Sequence, residues 1–155
     1  MLSELPKPVD VRVFADADDL GRGAAEDIAE HLRALSSRPH PIRVLFAAAP
    51  SQEPTLRALL GEPGLDWTRV VAFHLDEYVG LDPESPKSFG SWLRRTFFDR
   101  VALGGVHFID PSNDPAAESA RYGDLLQESA IDVAIIGIGV NGHLAFNDPP
   151  ADLAD

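Results

Sequence analysis

The stretch Gly137-Ile138-Gly139-Val140-Asn141-Gly142-His143-Leu144-Ala145-Phe146-Asn147-Asp148-Pro149-Pro150 gathers an imidazole, two side-chain amides and a carboxylate. His143 is the side chain best suited to move protons near neutral pH, and an amide or carboxylate beside it can fix its tautomer. A second stretch, Phe73-His74-Leu75-Asp76-Glu77-Tyr78-Val79-Gly80-Leu81, presents a pair of carboxylates. Partial shielding by Leu75 and Tyr78 would raise the proton affinity of such a carboxylate toward the range of a general base. The plainer role for Asp76 and Glu77 is to cap the turn that follows.

Gly137 to Gly142 also spells GxGxxG after an apolar run, the fingerprint of a dinucleotide-binding turn. That reading fails on spacing. A Rossmann turn opens a helix of several turns, whereas Pro149-Pro150 follow closely and the sequence stops before a ribose-binding acid could appear. The glycines instead suit a sharp turn that approaches a small ligand closely. The histidines at 31, 40, 74, 107 and 143 are scattered without ligand spacing, so no metal is expected.

Both stretches follow apolar runs that read as strands. Val9 to Phe14 alternates with period two and predicts a strand exposed on one face. Asp18 or Asp19 then caps a helix with Leu20, Ala24, Ile28, Leu32 and Leu35 on one stripe, ended by Pro39 and Pro41. Ile42 to Ala49 is nearly all apolar, as for a strand covered on both faces, and Ser51 is placed to cap a short helix through Leu60. Thr68 to Leu75 predicts a third strand. Ser88 opens a helix carrying Phe89, Trp92, Leu93, Thr96, Phe97 and Val101. Val106 to Ile109 is a short strand, Asp114-Pro115 opens another helix, and Ile131 to Ile138 is the most apolar strand.

Five strands alternating with four helices predict a single α/β domain over residues 1–155. It is a doubly wound, mostly parallel open sheet with helices on both faces, a Rossmann-like three-layer sandwich. In such folds ligands sit beyond the carboxyl ends of the strands, where Ala48 to Gln52, Asp76 to Tyr78 and Gly139 to Asp148 fall.

Composition narrows the partners. In 155 residues, 45% hydrophobic and 25% charged suit a packed core rather than disorder. A net charge of −12 with only two lysines, Lys7 and Lys87, argues against nucleic acid or an anionic membrane surface as partner. The absence of cysteine excludes disulfides, thiolate metal sites and thiol nucleophiles. With no signal-like N-terminus and no long apolar run, the expectation is a soluble, cytoplasmic protein.

HLDEYVGL at 74–81 and GIGVNGHLAFNDPP at 137–150, in this order, resemble the glucosamine-6-phosphate deaminase/isomerase family, whose members share a fold with 6-phosphogluconolactonases. Ser88-Phe89 and Trp92-Leu93 before Phe97-Phe98 are similar to that family as well. Ala145-Phe146-Asn147 after the histidine favour the deaminase branch over the lactonase branch. The resemblance implies conversion of glucosamine 6-phosphate to fructose 6-phosphate and ammonia, with a sugar phosphate as ligand and no cofactor. It also implies that Asp76 carries a proton between C2 and C1 of the opened sugar and that His143 assists ring opening. Asn141 and Asp148 are expected to complete the catalytic set. Ala49, Ser51, Gln52, Glu77, Gly139, Gly142, Ala145 and Asn147 are expected to bind the substrate and its phosphate.

Three departures stand out. Asn141 and Asp148 occupy positions where the family has an aspartate and a glutamate. Asn141 can orient the imidazole without adding charge, and Asp148 keeps the charge on a shorter arm. Ala47-Ala48-Ala49-Pro50-Ser51-Gln52 replaces a Gly/Thr/Ser-rich phosphate turn, leaving the amides of Ser51 and Gln52 at a helix N-terminus as the expected anion holders. The resemblance covers only the first part of a typical member, whose later part carries further lysine and arginine ligands. An incomplete sheet would expose an edge and favour a homo-oligomer. The alternatives are a catalytically weakened sugar-phosphate-binding or regulatory module and a 6-phosphogluconolactonase-like hydrolase.

Overall fold

The computed structural model describes residues 9–150. In chain order it comprises α1 (Ala17–Leu35), β1 (Ile42–Phe46), α2 (Glu53–Leu59), β2 (Val70–His74), α3 (Phe89–Thr96), β3 (Gly105–His107), α4 (Pro115–Gln127) and β4 (Val133–Ile135). The sheet order is β3-β2-β1-β4, and each pairing is parallel. From β1 the chain winds outward through α2 and α3 to β3. It then crosses back by α4 to place β4 on the other side of β1. The winding direction therefore reverses between β1 and β4.

The two faces of the sheet follow from side-chain alternation. Ile42, Val44 and Phe46 of β1 and Val70 and Ala72 of β2 join Leu32, Leu35, Leu56, Leu59, Leu93, Phe97 and Phe98 in one buried cluster. Arg43 and Phe73, on alternate positions, face α4 instead, with the Arg43 guanidinium 4.5 Å over the Phe73 ring and Tyr122 6.4 Å beyond it. Helices thus cover both faces, as the alternation of elements implies.

The predicted strand Val9 to Phe14 is not part of the sheet. A strand forms by pairing, and this segment pairs with no strand among the described residues. Val9, Val11 and Val13 stay exposed, while Arg12 pairs with Asp27 and Phe14 packs on Gly23, so the segment is held along α1. Among the described residues four strands result where five were expected. The cap of α1 also moves. Asp16 accepts from the Asp19 amide at 2.8 Å, leaving Asp18 and Asp19 in the first turn, where the helix N-terminus favours negative charge.

The buried stripe of α1 is rotated from the expected one, running through Gly21, Ala25, Ala29, Leu32 and Leu35 while Leu20 is exposed. Close approach of α2 decides this. A Cβ on Gly21 would lie 2.6 Å from the Pro54 backbone, so the small residues must face inward. Ser51 does not cap α2. It lies inside a 3-10 turn over Pro50–Gln52 that precedes the helix. Ser88 and Asp114 do cap α3 and α4, accepting from the amides of Ser91 and Ala117. α3 stops at Thr96 because Phe97 leaves the helical region, which lets the Phe97 and Phe98 rings both reach Phe46 at 5.7 and 5.1 Å.

β4 is fixed to β1 by polar contacts at its start. Asp132 accepts from the Arg43 amide at 2.9 Å and from Arg38 at 2.9 Å. The Arg43 side chain, 8% exposed, donates to the backbone oxygens of Leu125 and Ser129 at the end of α4. A buried cation is favourable there because those carbonyls carry the negative end of the helix dipole. Arg43→Met is therefore expected to destabilise the fold by about 2 kcal/mol, since carbonyls lose a charged donor. Urea unfolding of both proteins measures this, and an unchanged midpoint contradicts the role.

Candidate active site

Phe46 lies opposite His74 on one side and Ile135 on the other, so β1, β2 and β4 end at one level. The pairing continues one step further, the Leu75 amide donating to Phe46 O at 3.0 Å and the Ala47 amide to Ile135 O at 2.9 Å. The three loops that follow enclose a cavity of about 370 Å³ at the reversal of winding between β1 and β4. That is where an open α/β sheet leaves room for a ligand.

Asp76 and His143 both line this cavity, together with Asp148, Ala49, Ser51, Gln52, Gly139 and Ala145. Burial, reinforced by the charge of Glu77, raises the Asp76 carboxyl above the usual carboxylate range. Opposite it, Nδ1 of His143 lies 2.5 Å from Asn141 Oδ1 and 3.2 Å from Asp148 Oδ1. Asn141 in turn donates to Asp148 Oδ1 at 2.8 Å. The shorter arm of Asp148 thus still reaches the imidazole. Two acceptors at Nδ1 place the proton there and leave Nε2 to exchange one with a ligand.

The backbone makes room for this ring. A Cβ on Gly139 would lie 2.0 Å from Cε1 of His143, so only glycine fits beneath it. The Gly139 amide donates to His143 O at 2.9 Å, closing the turn. Ala145 adopts φ 53°, a left-handed conformation that costs about 1 kcal/mol for a residue with a Cβ.

Four expected residues do not line the cavity. Asn141 acts through His143 and Asp148, Asn147 donates to Leu144 O at 3.1 Å, and Gly142 (φ 87°) turns the loop. Glu77 points away, toward the start of α3. The expected anion site changes too, because the Gln52 amide is not free but donates to Ala49 O at 2.9 Å. The Ser51 side chain remains at the cavity wall. Among the described residues the lining contains no lysine or arginine.

Sequence reasoning named Tyr78 as a shield for Asp76 but missed the aromatic wall to which it belongs. Tyr78, Phe89 and Phe146 line the same cavity, with Tyr78 4.9 Å from Phe89 and 5.2 Å from Phe146 between ring centroids. They come from the β2 loop, α3 and the β4 loop, so no periodicity could have joined them. Behind Asp76, His74 is fully buried with neither ring nitrogen hydrogen-bonded, and burial lowers it to about 4 against the opposing charge of Glu77. Among the described residues no group of His, Cys, Asp and Glu could hold a metal ion, and no helix is long and apolar enough to cross a membrane.

A family model described as glucosamine-6-phosphate isomerases/6-phosphogluconolactonase matches residues 15–149. A glucosamine-6-phosphate deaminase of Cutibacterium acnes is 34% identical over 151 residues, covering 94% of this chain and 57% of the relative. One of Arthrobacter is 46% identical over 98 residues, covering 61% of this chain and 38% of the relative. A solved monomeric glucosamine-6-phosphate deaminase superposes with TM-score 0.85 at 25% identity, covering 95% of this chain and 62% of that one. The 6-phosphogluconolactonase of Thermotoga maritima shares the fold at TM-score 0.76 and 23% identity, covering 87% of this chain and 62% of that one. The chain spans between 38% and 57% of the length of these curated relatives.

Two measurements check the site. Long-range ¹H–¹⁵N correlation at neutral pH is expected to show the His143 proton on Nδ1; an Nε2–H pattern contradicts the geometry. His74 binds a proton in the unfolded chain below its ordinary 6.5 but in the folded one only near 4. Stability should therefore fall as pH drops between those values, and His74→Leu should flatten that arm in urea titrations. An equal slope in the variant refutes the assignment.

Proposed function

The chain belongs to the glucosamine-6-phosphate isomerase/6-phosphogluconolactonase family, and from that premise we propose that its cavity serves the isomerisation and deamination of a 2-amino-sugar phosphate such as glucosamine 6-phosphate. One observation carries the reading: a carboxylate of raised proton affinity and an oriented imidazole open onto a single cavity at the reversal of sheet winding.

Nε2 of His143 moves a proton between the ring oxygen and the C1 oxygen, opening the sugar. Asp76 then takes the proton from C2 while the C1 oxygen gains one from the substrate's ammonium group, giving an enolamine; Asp76 returns its proton to C1, which leaves a protonated imine at C2. Water adds to that carbon and ammonia departs, so amino-sugar phosphate and water become ketose phosphate and ammonia. A shielded carboxylate suits the C–H step because its proton affinity is closer to neutral pH than that of an exposed one. The aromatic wall of Tyr78, Phe89 and Phe146 limits water on one side of the cavity. Ser51 and Asp148 supply polar contacts for sugar hydroxyls. The same reading makes the protein a cytoplasmic enzyme, with homo-oligomerisation as a further expectation.

A second reading has its own support. Asn141 orients the imidazole without bringing a charge and the Gln52 amide is taken up by Ala49 O, which favours a catalytically weakened sugar-phosphate-binding module. Ammonia release from glucosamine 6-phosphate separates the two. The enzyme reading expects release that falls about 100-fold or more in Asp76→Asn, with ligand-induced thermal stabilisation retained. Stabilisation without ammonia from the unaltered chain supports the binding module, and undiminished turnover in Asp76→Asn removes the assigned base.

A further inference from the structure

The acidic pair after β2 is divided between two tasks. Asp76 faces the cavity, whereas the Glu77 side chain is 1% exposed and turned to the N-terminus of α3. There it accepts four hydrogen bonds, from the amide of Tyr78 at 2.9 Å, the hydroxyl of Ser88 at 2.8 Å, and the amides of Phe89 and Gly90 at 3.1 and 3.0 Å. Ser88 is at the same time the N-cap of α3, its oxygen accepting from the Ser91 amide at 3.1 Å. One carboxylate thus joins the loop bearing Asp76 to a helix anchored in the core by Leu93.

We propose that Glu77 is a positioning residue for Asp76: a charged clamp on the start of α3 that fixes the Asp76 loop and holds a negative charge beside the Asp76 carboxyl. The proposal rests on the reading of Asp76 as the proton carrier and says how that carrier is held and tuned. Two features of the clamp make it more than a turn cap. Two of its four donors are the first amides of α3, which no helical carbonyl can satisfy, at the positive end of that helix, so the carboxylate remains ionised although buried. Those bonds hold Glu77 below the usual carboxylate range, while its charge contributes to raising Asp76. A buried anion next in sequence to the base keeps that base protonatable nearer neutral pH.

The surrounding charges are few. Asp76 shares its cavity with His143 and Asp148 from the loop after β4. Glu77 has His74 Nε2 at 4.0 Å from β2, neutral near pH 7. Asp110 and Glu118 line the space behind it, Glu118 being held at about 2 chiefly by Arg121.

The test is a ¹³C carboxyl titration of the 155-residue chain, with Asp76→Asn to assign the Asp76 signal. In the unaltered chain Asp76 is expected to titrate above, and Glu77 below, ordinary carboxylates. In Glu77→Gln the Asp76 midpoint should move to lower pH. In Ser88→Ala, which weakens the clamp but keeps the charge, the midpoint should stay while amides 76–80 exchange about tenfold faster or more. Glu77→Asp keeps the charge on an arm too short for the helix and should show the same pattern, which covers the case of a Glu77→Gln chain that does not fold. An ordinary Asp76 midpoint in the unaltered chain, or one unmoved by Glu77→Gln, overturns the tuning, and unchanged exchange in both Ser88→Ala and Glu77→Asp overturns the clamp. None of these readouts uses turnover, so a failure here is distinct from the failure of Asp76 as the base.

Discussion

The position of Phe46 between His74 and Ile135 governs this molecule. Because side chains alternate along a strand, a slip of one residue in either pairing would move the side chains of each face to the other and offset the strand ends. With the ends level, the loops after β1, β2 and β4 leave the sheet at one height and can share a cavity. The same ring is held by Phe97 and Phe98 from beneath, so aromatic packing in the core supports the register that aligns the site.

Electrostatics then differentiates groups that look alike in sequence. Asp76 and Glu77 are adjacent, yet backbone alternation sends one into the cavity and the other onto the amides of α3. The first is raised by burial and the second lowered by hydrogen bonds. Asn141 and Asp148 are likewise separated in role: the amide orients the imidazole and the carboxylate, and the carboxylate brings the charge. The opposite face of the sheet uses the same economy, since Arg43 meets helix carbonyls and Glu118 meets Arg121 and the Asp110 amide. Arg43, Glu77 and Glu118 each meet partners of opposite polarity where they are buried.

Much of this was legible beforehand. The two motifs, the parallel α/β class, the caps at Ser88 and Asp114, and the placing of Asp76 and His143 beyond strand ends all follow from local composition and period. Local signals failed where a contact with a distant segment intervened. The Val9 to Phe14 alternation suits a strand but lacks a partner, so it lies on α1 instead. The stripe of α1 rotated because Pro54 demands a residue without a side chain at Gly21. Ser51 failed as a cap for a local reason, since the Gln52 amide closes a 3-10 turn onto the Ala49 carbonyl.

The sequence by itself determined which chemistry is present and in which order it emerges, because residue type and strand period are properties of neighbours along the chain. Tertiary structure alone decided that Asp76 opens onto the cavity while Glu77 turns to α3, which rings wall that cavity, and which nitrogen of His143 lies against Asn141 and Asp148. Those outcomes depend on direction and distance in space: the packed sheet brings the aromatic rings and α3 to the loops, and the folded turn around His143 sets its ring against Asn141 and Asp148.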